Sequence, residues 1–210
     1  MSRSVLVLGA SGRLGRRIVD GLLGHRHRVR AFIHRDNVLD SHIGLELFRG
    51  DVYDGEAVSN ALRGVDAVIS ALGSAAAPLK NVTSTAMQHL VPAMAASGIR
   101  RIVSATGSAA WRDQERSAPH PHLRARREQL MQVIPELVID GEKHMRILES
   151  SGLDWTVLRV PLMQGEAATD YTLALDPPPP QTISSYLAIA TAMIDQVASD
   201  EWVEAAPFAY

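Results

Sequence analysis

Seven residues near the N-terminus carry the first chemical signal. Gly9-Ala10-Ser11-Gly12-Arg13-Leu14-Gly15 spaces its glycines as Gly-x-x-Gly-x-x-Gly, directly after the apolar run Val5–Leu8. Glycines permit a tight turn and let backbone N–H groups come close to a pyrophosphate, and a helix that starts here adds oriented donors and positive potential. Gly9, Gly12 and Gly15 therefore read as a dinucleotide cradle. An ordinary strand-to-helix turn is the bland alternative, and the position inside a first β-α-β unit favours the cradle. The end of the second apolar run chooses the nucleotide. An NAD site wants an acid there for the ribose 2′-hydroxyl, whereas an NADP site wants cations. The sequence reads Ala31-Phe32-Ile33-His34-Arg35, with no acid before Asp36. Arg35 is then the 2′-phosphate partner, Arg13 can reach the same phosphate, and the expected cofactor is NADP(H).

Further candidates end the successive apolar runs. Asp51 follows the third and could hold an adenine amino group, or simply close an Asx turn. Ala71-Leu72-Gly73 ends the fourth, where a backbone can run along a ribose. Ala105-Thr106-Gly107-Ser108 ends the fifth, and Thr106 or Ser108 could hydrogen-bond a substrate carbonyl or cap the strand end. Lys80 and Lys143 are the only lysines among 21 basic residues, so Lys143, inside a helical segment, is easily noticed. Its bland reading is a surface lysine paired with Glu142 or Glu149. His120-Pro121-His122 lacks a third placed ligand, so no metal is expected. Arg124, Arg126 and Arg127 read as a solvated face, or with Trp111 as the mouth of a pocket for an anionic or aromatic compound.

The elements that must position these residues alternate. Val5–Leu8, Val29–Ile33, Leu45–Phe48, Ala67–Ala71, Arg101–Ala105 and Trp155–Arg159 are short, apolar and rich in β-branched residues, as buried parallel strands are. Helical patterns fill the gaps over Arg13–Leu23, Gly55–Leu62, Thr83–Ser97 and Leu137–Ser150, with Gly24, Gly64, Gly98 and Gly152 expected as left-handed stops and Pro92 as a kink or late start. This rhythm predicts an α/β fold, a Rossmann-type doubly wound parallel sheet. Residues 1–210 form one domain on this reading, with a core over 1–159 and a substrate-side region over 160–210. The latter holds the stiff run Pro177–Pro180 and a helix over Ile183–Val197 capped by Ser184 or Ser185. Segment 108–135 is irregular and expected to be a lid or binding loop.

Composition removes whole classes. The 210 residues are 46% hydrophobic with a formal net charge of −2 and no cysteine. Disulfides and thiolate catalysis drop out, no global charge favours nucleic acid, and no run approaches the roughly 18 apolar residues of a membrane span. A cytoplasmic protein acting on a small molecule, as a monomer or small homo-oligomer, is the expectation.

With these residues assembled, the chain resembles the atypical short-chain dehydrogenases, a group that includes NmrA-like proteins, flavin reductase-like proteins and biliverdin-IXβ reductase. The resemblance rests on Gly9–Gly15, Arg35, Gly50-Asp51-Val52, Leu72-Gly73, Ile102–Ser108, Ser151–Arg159 and Ile183-Ser184. It implies that Ser11 to Leu14 contact phosphates, Arg35 the 2′-phosphate, Asp51-Val52 the adenine, and the backbone of Pro161-Leu162-Met163 the nicotinamide. It also implies a Lys near position 143 facing the ribose, where an ammonium would favour hydride transfer. Two departures stand out. Ordinary short-chain dehydrogenases place a Tyr four residues before the Lys as a proton donor, but that residue here is Ile139, and none of Tyr53, Tyr171, Tyr186 or Tyr210 has such a Lys. Biliverdin-IXβ reductase has a Pro-His pair where this chain has Pro161-Leu162. The implied activity is NADP(H)-dependent hydride transfer to a small cyclic, aromatic, quinone or flavin-like compound. An NADP(H)-sensing regulator, or an epimerase, dehydratase or cyclase, is the alternative.

Overall fold

The computed structural model describes residues 2–34, 39–73, 77, 79–166 and 168–210. Strands β1 (Ser4–Leu8), β2 (Arg28–Ile33), β3 (Leu45–Arg49), β4 (Ala67–Ser70), β5 (Arg101–Gly107) and β6 (Asp154–Val160) run parallel in the order β3-β2-β1-β4-β5-β6. The strand order reverses beside β1, which pairs with β2 on one side (Val5 opposite Val29) and β4 on the other (Val5 opposite Ala67). Such a switch point opens the crevice in which doubly wound sheets bind ligands.

Alternation along β1 shows why both faces are covered. Val5 and Val7 join one core, with Ile18 and Leu22 of α1 (Arg13–Gly24) and Ile189 and Met193 of α6 (Tyr186–Asp195). Leu6 and Leu8 join the other, with Val58 of α2 (Gly55–Ala61), Met87 and Leu90 of α3 (Val82–Ser97) and Met145 and Leu148 of α5 (Pro135–Glu149). Each such side chain, removed from water, contributes about 1.5–3 kcal/mol. No helix among the described residues is long and apolar enough to cross a membrane.

The differences from the sequence expectation lie where apolar periodicity is weak. Segment 108–135 contains a 3-10 turn (Asp113–Glu115) and a full helix, α4 (Pro121–Val133). Leu123 is its one buried residue, so it shows no apolar stripe, although Pro121 sits at its first turn, where proline is favoured. The helix expected over Ile183–Val197 starts only at Tyr186, because the Ser185 hydroxyl caps it by accepting from Ala188 N–H (2.9 Å). Ile183–Ser184 forms β9 instead, paired with β7 (Leu162–Met163). Gly98, Gly64 and Gly152 are left-handed, but Gly24 stays helical and the left-handed residue after α1 is Arg26. α3 runs on through Pro92. Residues 160–210 also feed the core: α6 packs on α1, and β10 (Phe208–Ala209) extends the sheet beside β6 and pairs antiparallel with β8 (Leu173–Ala174).

Candidate active site

The glycine turn is built as a cradle. Gly9 is left-handed (φ 72°), and a Cβ there would stand 2.8 Å from the Ala71 carbonyl oxygen. A Cβ on Gly15 would stand 2.0 Å from the Gly9 carbonyl oxygen, so only glycine lets α1 start this close to β1. Gly12 N–H donates to the Gly9 carbonyl (3.0 Å), closing the turn. No side chain caps α1 and its first turn holds no acid. Its leading N–H groups and positive dipole end are thus left for an anion, and Ser11, Arg13 and Leu14 flank them.

Two cavities flank this turn along the carboxyl edge of the sheet and meet at Leu72. The first, about 380 Å³, is lined by Gly9, Ser11, Phe32, His34, Asp51, Val52 and Tyr53. Asp51 closes the Asx turn read from the sequence and also lines the cavity. Its Oδ1 accepts from Tyr53 N–H (3.0 Å) as an Asx turn, while Oδ2 lies 3.7 Å from His34 Nδ1 at the cavity wall. Burial raises the Tyr53 phenol, with Asp140 and Asp51 adding to it, and its hydroxyl donates to Asn81 Oδ1 (3.1 Å). The second cavity, about 190 Å³, is lined by Leu14, Ala71, Leu72, Gly73, Thr106, Leu137, Gly141, Val160, Pro161 and Met163. A third, of about 510 Å³, opens at Pro161, with Ser108, Leu162 and the Pro178–Pro180 run on its wall.

Residues 9–200 match the family described as NAD(P)H-binding. The chain belongs to the NAD(P)H-binding family. Sterol demethylase protein B of Methylococcus capsulatus is 30% identical over 127 residues, covering 57% of this chain and 39% of that protein. The chain spans well under half the length of the curated relatives it matches. Its fold is shared by a short-chain dehydrogenase/reductase of Veillonella parvula in complex with NADP (TM-score 0.77, 17% identity, 100% of this chain and 94% of that one). It is shared too by ChuY, an anaerobillin reductase of Escherichia coli O157:H7 (TM-score 0.75, 18% identity, 98% and 96%).

Within this NAD(P)H-binding frame, the structure gathers Gly9, Ser11, Leu14, Asp51, Val52, Ala71–Gly73, Thr106, Pro161 and Met163 around the first two cavities. Ser108 and Leu162 fall in the third. Gly12 and Arg13 are exposed on the turn, and Arg35 lies outside the described residues. Lys143 is exposed and lines a separate depression with Lys80, Asn81, Ser84, Glu136, Ile139 and Asp140, away from Thr106. Neither Glu142 nor Glu149 pairs with it, since Glu142 holds Arg116 and Arg127, and Glu149 holds Arg112.

The α5 residues that do face the second cavity are Leu137 and Gly141, four apart and without an ionisable group. A Cβ on Gly141 would stand 2.3 Å from Thr106 Oγ1, so this glycine sets how closely α5 approaches the end of β5. Neither residue has a side chain that chemistry-based reading would flag.

α5 also buries three polar side chains: Asp140 and His144, which the sequence reading missed, and Glu142, which it paired with Lys143. Asp140 accepts from the backbone N–H groups of Thr83 (3.1 Å) and Ser84 (2.9 Å) and from the Thr83 hydroxyl, capping α3, which has no side-chain cap from Asn81. Glu142 binds Arg116 (2.6 Å) and Arg127 (2.9 Å), fastening the 108–120 segment and α4 to α5. His144 Nε2 meets Ser104 Oγ (2.8 Å), and burial pushes its imidazole down to about 4, so it is neutral near pH 7.

The Trp111 expectation is corrected. Its indole carries the Arg127 guanidinium over the ring at 4.8 Å and lines none of the three cavities, while Arg124 pairs with Glu128 on the surface (3.2 Å). Of the three arginines, only Arg126 reaches a cavity wall. The His120 and His122 rings meet edge-on at 4.4 Å, and no group of three metal-ligating side chains forms among the described residues.

Proposed function

We propose that this protein is an NADPH-dependent reductase of small cyclic, aromatic, quinone or flavin-like compounds. The observation that carries this reading is the third cavity. An opening of about 510 Å³ shares Pro161 with the second cavity, within the range of small-molecule sites and roomy enough for a ring. A protein that only senses the nucleotide has no need of that space.

On this reading Ser11, Gly12, Arg13 and Leu14 hold the pyrophosphate, Asp51 and Val52 the adenine, and Ala71–Gly73 a ribose. Pro161–Met163 hold the nicotinamide. Arg13 and Arg35 meet the 2′-phosphate, and the lack of an acid at the end of β2 favours NADPH over NADH. Bound NADPH supplies a hydride, two electrons and one hydrogen, to the acceptor, and the balancing proton comes from water. Leu14, Leu137, Val160 and Met163 keep the nicotinamide end apolar, which sharpens every electrostatic contact inside it. Thr106 Oγ1 and the Ser108 hydroxyl are the groups proposed to hydrogen-bond the acceptor oxygen or nitrogen as charge develops. Lys143, in its separate depression, is proposed to influence the ribose only from a distance. With Leu137 and Gly141 where an acid could have stood, flavins and quinones, which need least proton help from the protein, suit the site best. The same lack of an acid is what favours the second reading, an NADP(H)-sensing regulator.

The test is NADPH titration followed by absorbance at 340 nm with a quinone, flavin and carbonyl panel. Tight NADPH binding with oxidation by quinones or flavins is expected. Tight binding with silence across the panel would favour the regulator.

A further inference from the structure

The third cavity has an uneven charge pattern. Five arginines lie between residues 108 and 135, and four have a carboxylate partner: Arg112 on Glu149, Arg116 on Asp113 and Glu142, Arg124 on Glu128, and Arg127 on Glu142. The fifth, Arg126, makes no ion pair among the described residues, and it alone of the five lines the cavity. Its Nη1 donates to Gln129 Oε1 (3.0 Å), one helical turn on, which steadies the guanidinium without neutralising it. His122, on the same helix and the same wall, has a buried Nε2 with no hydrogen-bond partner. Pro161, Leu162, Pro178–Pro180 and Ile183 give the cavity an apolar side, interrupted by Gln181 and Thr182, and no carboxylate lines it among the described residues. An uncompensated cation beside an apolar wall draws anions and pairs with them through charge-assisted hydrogen bonds.

From this we infer that the cavity takes a compound joining a flat apolar ring to an anionic group, a carboxylate, sulfonate or phosphate. The ring lies on the proline wall, and the anion meets the Arg126 guanidinium. This deepens the reductase reading by naming its acceptor class, and rests on that reading for the acceptor's orientation toward Pro161. Arg126 is exposed, so solvent screens the pair. The expected gain is therefore about tenfold, the lower end for a hydrogen bond to a charged group.

Two fluorescent probes with one ring system test it without any turnover: 1-anilinonaphthalene-8-sulfonate and the uncharged N-phenyl-1-naphthylamine. Both are titrated into the protein with and without saturating NADP⁺. Arg126→Ala should lower the ratio of sulfonate to neutral affinity about tenfold, Arg126→Lys should restore part of it, and added salt should weaken the sulfonate selectively. Ile183→Trp, which fills the cavity from its apolar side, should weaken both probes. An unchanged ratio in Arg126→Ala overturns the anion site, as does sulfonate binding that survives Ile183→Trp. Failure to oxidise NADPH with any acceptor, alongside the expected probe behaviour, would sink the reductase reading and leave the anion site standing.

Discussion

Gly141→Ala pits helix propensity against the geometry of the groove. In an isolated helix this change stabilises by about 1 kcal/mol. Here the new Cβ would stand 2.3 Å from Thr106 Oγ1 and 3.2 Å from Ala110 Cβ, where carbon contacts settle at about 3.5 Å or more. Thr106 must turn or α5 must withdraw, each by about 1 Å, and overpacking of this kind costs about 1–3 kcal/mol. The net expectation is a loss of about 1 kcal/mol, a drop in Tm of about 2–4 °C by scanning calorimetry. Because the displaced hydroxyl belongs to the groove's inner wall, kcat/KM with a quinone should fall about tenfold or more. The cycle with Thr106→Ser isolates the contact. Serine keeps the crowding hydroxyl but lacks the methyl group that stiffens threonine's χ1, so it can turn the hydroxyl away, and Gly141→Ala should cost less in the Thr106→Ser background than in the native chain. A Tm that rises in Gly141→Ala with unaltered turnover would refute the reasoning, since propensity alone predicts that result.

Arg35→Ala should weaken NADPH binding about tenfold, measured by fluorescence titration, and leave NADH little changed, because only the 2′-phosphate contact is lost. Lys143→Ala should change kcat/KM less than about twofold, as exposed charges away from the reacting atoms are screened, whereas Thr106→Val should lower it about tenfold or more. His144 gives a pH signature. Buried, it stays neutral down to about 4, with Asp140 opposing that shift, whereas in the unfolded chain it takes up a proton near 6.5. The unfolded chain therefore binds more protons between these values, and stability should fall as pH drops from about 6.5 to about 4, by an order of 3 kcal/mol. Urea unfolding across that window should show the slope, and His144→Gln should flatten it.

The sheet and the nucleotide turn were legible because their signals are local. Val5–Leu8 is apolar on both faces, and the glycines of 9–15 answer a steric demand that appears in the structure as clearances no Cβ could share. α4 was not legible, since a helix held to α5 through Arg127 and Glu142 rather than by an apolar stripe has no period to read. The end of the chain was illegible for another reason. β10 is two residues long and is placed by tertiary contacts, with Arg159 donating to the Ala206 carbonyl (2.8 Å) and lying 3.9 Å over the Phe208 ring.

The candidate site divides along the same line, and helical phase explains how. Reading by chemistry selects Lys143 on α5, but a helix turns about 100° per residue, which sets position 143 about 200° from position 141. The residues that share the groove face are Leu137 and Gly141, about 40° apart, and they act through what they lack. Leucine there keeps water out, and glycine admits the Thr106 hydroxyl to the space a side chain would fill. With no ionisable group on that face, selectivity has to come from elsewhere on the walls. The cavity beyond Pro161 offers one cation without a carboxylate, Arg126, about 15 positions before Gly141 and on a different helix. Hydride acceptance and substrate recognition would then reside in separate elements, the first in β5 and the 160–163 turn, the second in α4. Changes in α4 should alter which acceptor is used without altering which nucleotide is bound.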